Sequence, residues 1–238
     1  MDDRWYEIAN LDHPWIVRRF EVLRGLAGGL IPRANAIAEV GCGHGLLQRQ
    51  IEDYYQVSVT GFDLNETALK QTASRFSPLC CYDVCERRAE YEEFFDLILL
   101  ADVLEHIPDQ DTFLRAVKFH LAPRGLVLVN VPALQSLYSG YDRAVGHLRR
   151  YRIGSMSAIA RRNDLSIVGY TYWGLPLLPL LVLRKLWTAA RSGDGVITAG
   201  FEPGGPVRNR ALLWLSRCEP IPQRLIGTSL MAVLRSTG

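Results

Sequence analysis

Short apolar runs and stretches of helical spacing take turns along much of this chain. Ala36 to Ala38 is an apolar run that leads through Glu39 into three alternating glycines, Gly41, Gly43 and Gly45, and a helix-like stretch opens at Leu46. Val57 to Asp63 reads as a second strand, 66–76 as a helix and Leu79 to Tyr82 as a third short strand. Phe94 to Ala101 is apolar almost throughout, as a strand buried on both faces should be. Ahead of them, Ile16, Phe20, Leu23 and Leu26 or Ala27 recur at helical spacing. Strand and helix in alternation predict an α/β fold with a doubly wound, largely parallel sheet, whose ligands bind beyond the carboxyl ends of the strands. Glu39, Gly41, Asp63, Asp83 and Ala101 fall at such ends, so the pattern points to one crevice.

The glycine turn carries the first chemistry. Residues without a Cβ allow positive φ angles and a close approach of backbone to a bound molecule, which implies a nucleotide-like cofactor. Dinucleotide enzymes space these glycines Gly-x-Gly-x-x-Gly to seat a pyrophosphate on a helix N-terminus. Here the spacing is Gly-x-Gly-x-Gly, and the Glu39 carboxylate would repel a pyrophosphate while suiting a cationic amino-acid tail. Asp63, ending the second strand, can accept two hydrogen bonds from a ribose diol. With Asp102-Val-Leu-Glu-His-Ile-Pro-Asp109 and Leu121-Ala-Pro-Arg-Gly-Leu-Val-Leu-Val-Asn130 following in order, residues 36–131 resemble the class I S-adenosylmethionine-dependent methyltransferases.

That resemblance implies a Rossmann-like sheet of seven strands, with 165–173 as the sixth and 229–235 as an antiparallel seventh. It implies S-adenosyl-L-methionine as cofactor, with S-adenosyl-L-homocysteine as product. Glu39, Gly41, Cys42, Gly43 and Gly45 would hold the methionine portion, with His44 lining that end, and Asp63 and Leu64 the ribose. Asp83 would face the adenine amino group, Val84 would pack on the ring, Ala101 and Asp102 would flank the sulfonium, and His106 would stand on the cofactor side. Residues 1–33 become a helical cap, and 34–238 the methyltransferase domain with acceptor-side insertions at about 132–152 and 174–226.

Composition agrees with one domain: 238 residues with 48% apolar content suffice for a single α/β core. A net charge of +2 argues against a general nucleic-acid binder, and no base-flipping motif is present. Met1-Asp-Asp-Arg4 lacks a signal-peptide pattern, and five cysteines, some adjacent, do not form a disulfide framework, so a cytoplasmic location is expected. No cysteine or histidine cluster has zinc spacing, so no metal ligands are predicted, although an ion held jointly with a substrate would escape such a search.

Acceptor choice falls to the three decorating segments. In 1–33, Trp15 joins Arg4, Trp5, Tyr6 and Phe20 in a helix that either closes over the cofactor or packs on the sheet. Segment 130–152 concentrates Tyr138, Tyr141, Asp142, His147, Arg149, Arg150 and Tyr151, and its Gly-His-x-Arg-Arg-Tyr stretch is similar to a methyltransferase subgroup linked to glycan, lipid or secondary-metabolite pathways. For a hydroxyl acceptor His147 is the expected general base, oriented by Asp142 and with Tyr138 beside it; alternatively these residues only tie the loop together. Tyr141, Arg149, Arg150, Tyr151 and Trp15 are expected on the substrate side, and the guanidinium groups suit an anionic acceptor. Residues 173–187 are apolar but too short to span a bilayer, and read as a helix over the site, a homodimer contact or a peripheral membrane contact with Arg184, Lys185 and Trp187 at headgroup level. The expected activity is methyl transfer to a small or lipid-like acceptor, at oxygen first and at an amine second. A non-catalytic cofactor-binding partner and a dinucleotide oxidoreductase are the readings outside that class.

Overall fold

The computed structural model describes residues 10–189 and 205–237. Arg4, Trp5, Tyr6 and the Gly/Pro-rich stretch up to residue 204 lie outside the described residues, as do the side chains of Arg184 and Trp187. Strands Ile37–Val40 (β1), Thr60–Asp63 (β2), Leu79–Cys81 (β3), Phe95–Ala101 (β4), Leu121–Pro132 (β5), Leu165–Trp173 (β6) and Ser229–Ser236 (β7) form one sheet in the order β3-β2-β1-β4-β5-β7-β6. β1 to β5 pair in parallel, and β7 runs antiparallel between β5 and β6. The seven-stranded sheet and its antiparallel last strand are as expected.

Successive side chains of a strand point to opposite faces, and both faces here are covered. From β4, Ile98 and Leu100 enter one core, while Leu97, Leu99 and Ala101 enter the other. Gln110–His120 (α4) and Ile153–Arg162 (α6) close the first with Phe113, Leu114, Val117, Met156 and Ile159. Pro14–Ala27 (α1) and Leu46–Tyr55 (α2) close the second with Phe20, Val22, Leu23, Leu47 and Ile51. The short helices Glu66–Lys70 (α3) and Gly140–Ala144 (α5), then Leu178–Ala189 (α7) and Pro206–Ser216 (α8), complete the α-helices among the described residues.

One expected element is shorter than its pattern. The helix predicted over 66–76 stops at Lys70, because the buried Glu52 captures the groups a longer helix would need. Its carboxylate accepts from Ser74 Oγ (2.7 Å) and from the backbone N–H of Arg75 (2.8 Å), Phe76 (3.3 Å) and Ser77 (2.8 Å). Burial raises the Glu52 pKa, but these hydrogen bonds outweigh it and hold the carboxylate at about 2.

The 173–187 segment folds into a 3-10 turn, Leu175–Leu177, followed by α7. α7 packs on α5 and on the Gln135–Leu137 turn, and Lys185 Nζ donates to Ser136 O at 2.5 Å. Leu183 and Leu186 on the same helix are 61% and 63% exposed, too open for a helix that only fills a core. No helix among the described residues is long and apolar enough to cross a membrane.

Candidate active site

β1, β2 and β4 end side by side at the point where the strand order reverses, and the chain leaves β1 through the glycine turn. Gly41 adopts φ +74°, and a Cβ there would stand 2.5 Å from Val103 Cγ2, so the turn admits no side chain. The N–H groups of Gly41 and Cys42 donate to Phe62 O at 2.7 and 3.1 Å, and Gly43 N donates to Asp63 Oδ2 at 2.7 Å. The loop is thereby tied to the end of β2.

These strand ends enclose a cavity of about 710 Å³. Of the expected cofactor residues, Glu39, Gly41, Cys42, Gly43, Asp63, Leu64, Ala101, Asp102 and His106 line it, together with His44, Ile16 and Arg19. Gly45 lies behind the wall as the N-cap of α2, with φ +80°. Asp83 and Val84 are not in the lining: Asp83 accepts from Cys85 N at 2.8 Å, and Val84 is buried in the core beside Tyr82. The N-terminal helix packs on the sheet through Phe20 and Leu23, while Ile16 and Arg19 on the same helix line the cavity.

Glu39 is 3% exposed, and its Oε2 has no hydrogen-bond partner. Burial pushes its pKa to about 8; Arg19 opposes that shift, and the nearby Asp63 and Asp102 charges add to it. A cationic group brought into the cavity would satisfy this carboxylate. Because the folded-state value is raised, Glu39 contributes stability that is complete below pH 4.5 and is lost as pH rises through about 8. Thermal melts across that window are expected to show the parent losing stability relative to Glu39→Gln as pH increases. Parallel curves would mean that Glu39 is solvated.

Asp63 holds the loop and keeps capacity to spare. Its Oδ1 accepts from Asn65 N at 2.8 Å and its Oδ2 from Gly43 N, which leaves a lone pair on each oxygen for a ligand. Asp102, at φ +61°, is gripped from two sides: Arg19 Nη1 donates to Oδ2 at 2.8 Å and Asn130 Nδ2 to Oδ1 at 2.7 Å. Asn130 Oδ1 in turn accepts from Trp173 Nε1 at 2.9 Å, and Trp173 lies against Trp15 with ring centroids 4.3 Å apart. Trp15 is therefore built into the second core instead of lining the cavity.

The segment after β5 is organised around Asp142, which is fully buried. Ser139 N and Oγ donate to Oδ2 at 2.8 and 3.1 Å, while Arg150 Nε at 2.8 Å and His147 Nδ1 at 3.1 Å share Oδ1. Burial raises the Asp142 pKa, but the His147 and Arg150 hydrogen bonds and the Arg150 charge hold it at about 2. Arg150 also donates to Ala133 O at 3.2 Å, Tyr138 Oη to His147 O at 2.7 Å, and Tyr151 Oη to Leu104 O at 3.0 Å. Tyr141, Arg150 and Tyr151 point inward and hold the loop, while Arg149 reaches Pro108 O at 3.3 Å. None of these residues lines the cavity.

His147 does reach the cavity's edge through a neighbour: its ring is 4.9 Å from that of His106, which lines the wall. His147 Nε2 also stands 3.8 Å from Oε1 of Glu105, a fully buried carboxylate with no hydrogen bond to either oxygen. Glu105, Arg19 and Asn130 were not singled out from sequence. An acid next to His106 and flanked by Val103, Leu104 and Ile107 was the available signal for the first, whereas Arg19 and Asn130 meet Asp102 only across the fold.

Known proteins resemble this chain in sequence and in fold. The methyltransferase domain family matches residues 20–169. A ubiquinone biosynthesis O-methyltransferase from Bordetella avium is 32% identical over 117 residues, an alignment covering 46% of each chain, so less than half of that relative's length is spanned. Among solved structures, a methyltransferase from Thermotoga maritima superposes with a TM-score of 0.60 at 12% identity, covering 99% of this chain and 94% of that one. The N-methyltransferase NodS from Bradyrhizobium japonicum, solved with S-adenosyl-L-homocysteine, gives 0.56 at 14% identity, covering 100% and 94%.

Proposed function

Since the chain belongs to the class I S-adenosylmethionine-dependent methyltransferase family, we propose that it methylates the hydroxyl of a small or lipid-like acceptor. S-adenosylmethionine, when bound, supplies a methyl group on a cationic sulfonium. The cavity fits that group: Glu39 Oε2 is an orphaned buried acceptor suited to an ammonium, Asp63 keeps lone pairs suited to a diol, and the glycine turn leaves room for close backbone approach. Ala101 and Asp102 at the end of β4 line the same cavity with His106 and would flank the sulfonium.

The observation that carries methylation at oxygen is the orientation of His147. Asp142, already held by Ser139 and Arg150, takes the Nδ1 proton and leaves Nε2 with its lone pair beside His106. A group so placed accepts a hydroxyl proton while the chain positions the reacting atoms. The name of the B. avium relative supports oxygen as the target. Exposed Leu183 and Leu186 on α7, which packs over the Asp142 loop, support an apolar acceptor and a surface that meets lipid or a second subunit. With Arg150 committed to Asp142, an anionic acceptor would rest on Arg149 and Arg152.

Turnover of hydroxyl and amine acceptors by the parent and by His147→Ala tests this reading. A loss of kcat of about 100-fold or more is expected with unchanged affinity for S-adenosylhomocysteine. Near-normal turnover in the variant would instead point to N-methylation, since a neutral amine has no proton to surrender before attack.

A further inference from the structure

Three buried ligand atoms with no hydrogen-bond partner lie together at the His106 wall of the cavity and just behind it. Both oxygens of Glu105 are buried and accept nothing. His106 Nδ1 meets Gly146 O at 3.1 Å, and a carbonyl can only accept, so this nitrogen carries the proton and Nε2 carries the lone pair. That Nε2 is buried and unpartnered. His147 repeats the arrangement: the Asp142 carboxylate takes Nδ1–H, and Nε2 faces Glu105 Oε1 at 3.8 Å. The ligand atoms of all three residues lie within 4.8 Å of one another.

A buried carboxylate without partners is costly, and a core glutamate ordinarily finds a donor. Two imidazoles whose Nδ1–H groups are fixed by a carbonyl and a carboxylate are in the state that metal-binding histidines adopt, with the outer partner setting the tautomer and the ring plane. We propose that Glu105, His106 and His147 bind a divalent first-row transition cation, Zn²⁺ or Mn²⁺, beside the sulfonium end of the cavity. Ligand atoms about 2.1 Å from a tetrahedral ion are about 3.4 Å apart, so side-chain shifts on the order of 1 Å complete the site. Two nitrogens and one carboxylate suit these ions better than Mg²⁺ or Ca²⁺, which take oxygen ligands.

The site's part in the reaction rests on the methyltransferase reading; its capacity to bind metal does not. A hydroxyl oxygen from the acceptor would become a further ligand, lose its proton to bulk water and keep the electron pair for attack on the methyl carbon. His147 then contributes its Nε2 lone pair to the ion instead of to a proton.

The test is calorimetric titration of the full, chelator-treated chain with ZnCl₂ and with MnCl₂, followed by S-adenosylhomocysteine. One equivalent of at least one ion is expected to bind, with affinity falling on the order of 100-fold in Glu105→Gln and in His147→Ala. Both variants are expected to bind S-adenosylhomocysteine like the parent, which shows that they fold. His106→Gln serves as a replacement if either variant does not fold. No ion binding by the parent, or equal binding by the folded variants, overturns the proposal. Ion binding by a parent that does not take S-adenosylhomocysteine leaves the metal site standing and removes the methyltransferase reading.

Discussion

Asp63→Ala is expected to lower affinity for S-adenosylhomocysteine on the order of 100-fold in calorimetric titration. Each hydrogen bond to a charged acceptor is worth about 1.5–3 kcal/mol, and a ribose diol would make two of them. The substitution also strips the acceptor from Gly43 N and Asn65 N, so the glycine turn loses its tie to β2. Asp63→Asn, which keeps one carbonyl oxygen, is expected to fall between the two. NADH should bind neither parent nor variant, because the Glu39 carboxylate beside the glycine turn would repel a pyrophosphate. Unchanged affinity in Asp63→Ala would place the ligand elsewhere, and NADH binding in preference to S-adenosylhomocysteine would return the glycine turn to a dinucleotide.

Trp173→Ala is expected to cost about 3–5 kcal/mol of folding stability, read from the shift in urea midpoint. Trp173 is fully buried, and its ring fills the space between α1 and the sheet. Its Nε1 also satisfies Asn130, whose other end holds Asp102, so the damage extends toward the cavity. Trp173→Phe keeps most of the volume but not the N–H donor, and should cost about 1–3 kcal/mol for the unsatisfied Asn130 oxygen. If the two variants lost the same amount, ring volume would contribute little and the hydrogen bond would be the whole effect.

The centre of the sheet was legible because β4 is buried on both faces and reads almost to the residue from its apolar run, whereas β6, a partly open edge strand, was placed by the family resemblance. The end of α3 was not, since it depends on Glu52 reaching forward from another helix to residues 74–77. The cofactor wall was legible where position along a strand fixes it, as for Glu39, Asp63 and Ala101. The loop after β5 was legible in composition but not in direction. Nothing in the order Tyr-Asp-Arg-Ala-Val-Gly-His-Leu-Arg-Arg-Tyr says that Arg150 turns inward onto Asp142 while His147 turns toward His106. Such orientations are decided by contacts between residues far apart in sequence, among them Leu148 N with Glu105 O at 2.9 Å.

The place of β7 in the sheet has a consequence for how this protein is made. It is synthesised after both strands it joins, yet it sits between them. While a ribosome is still translating residues 174–228, β1 to β5 are already available to assemble, but β5 presents an open edge bearing Val127, Val129 and Val131, and β6 has no strand to pair with. Unpaired apolar edges of this kind recruit other chains. The nascent protein therefore passes through an interval in which its most adhesive surface is uncovered. Slowing translation across that stretch should increase the fraction lost to aggregation or held by chaperones, without altering a single residue of the product.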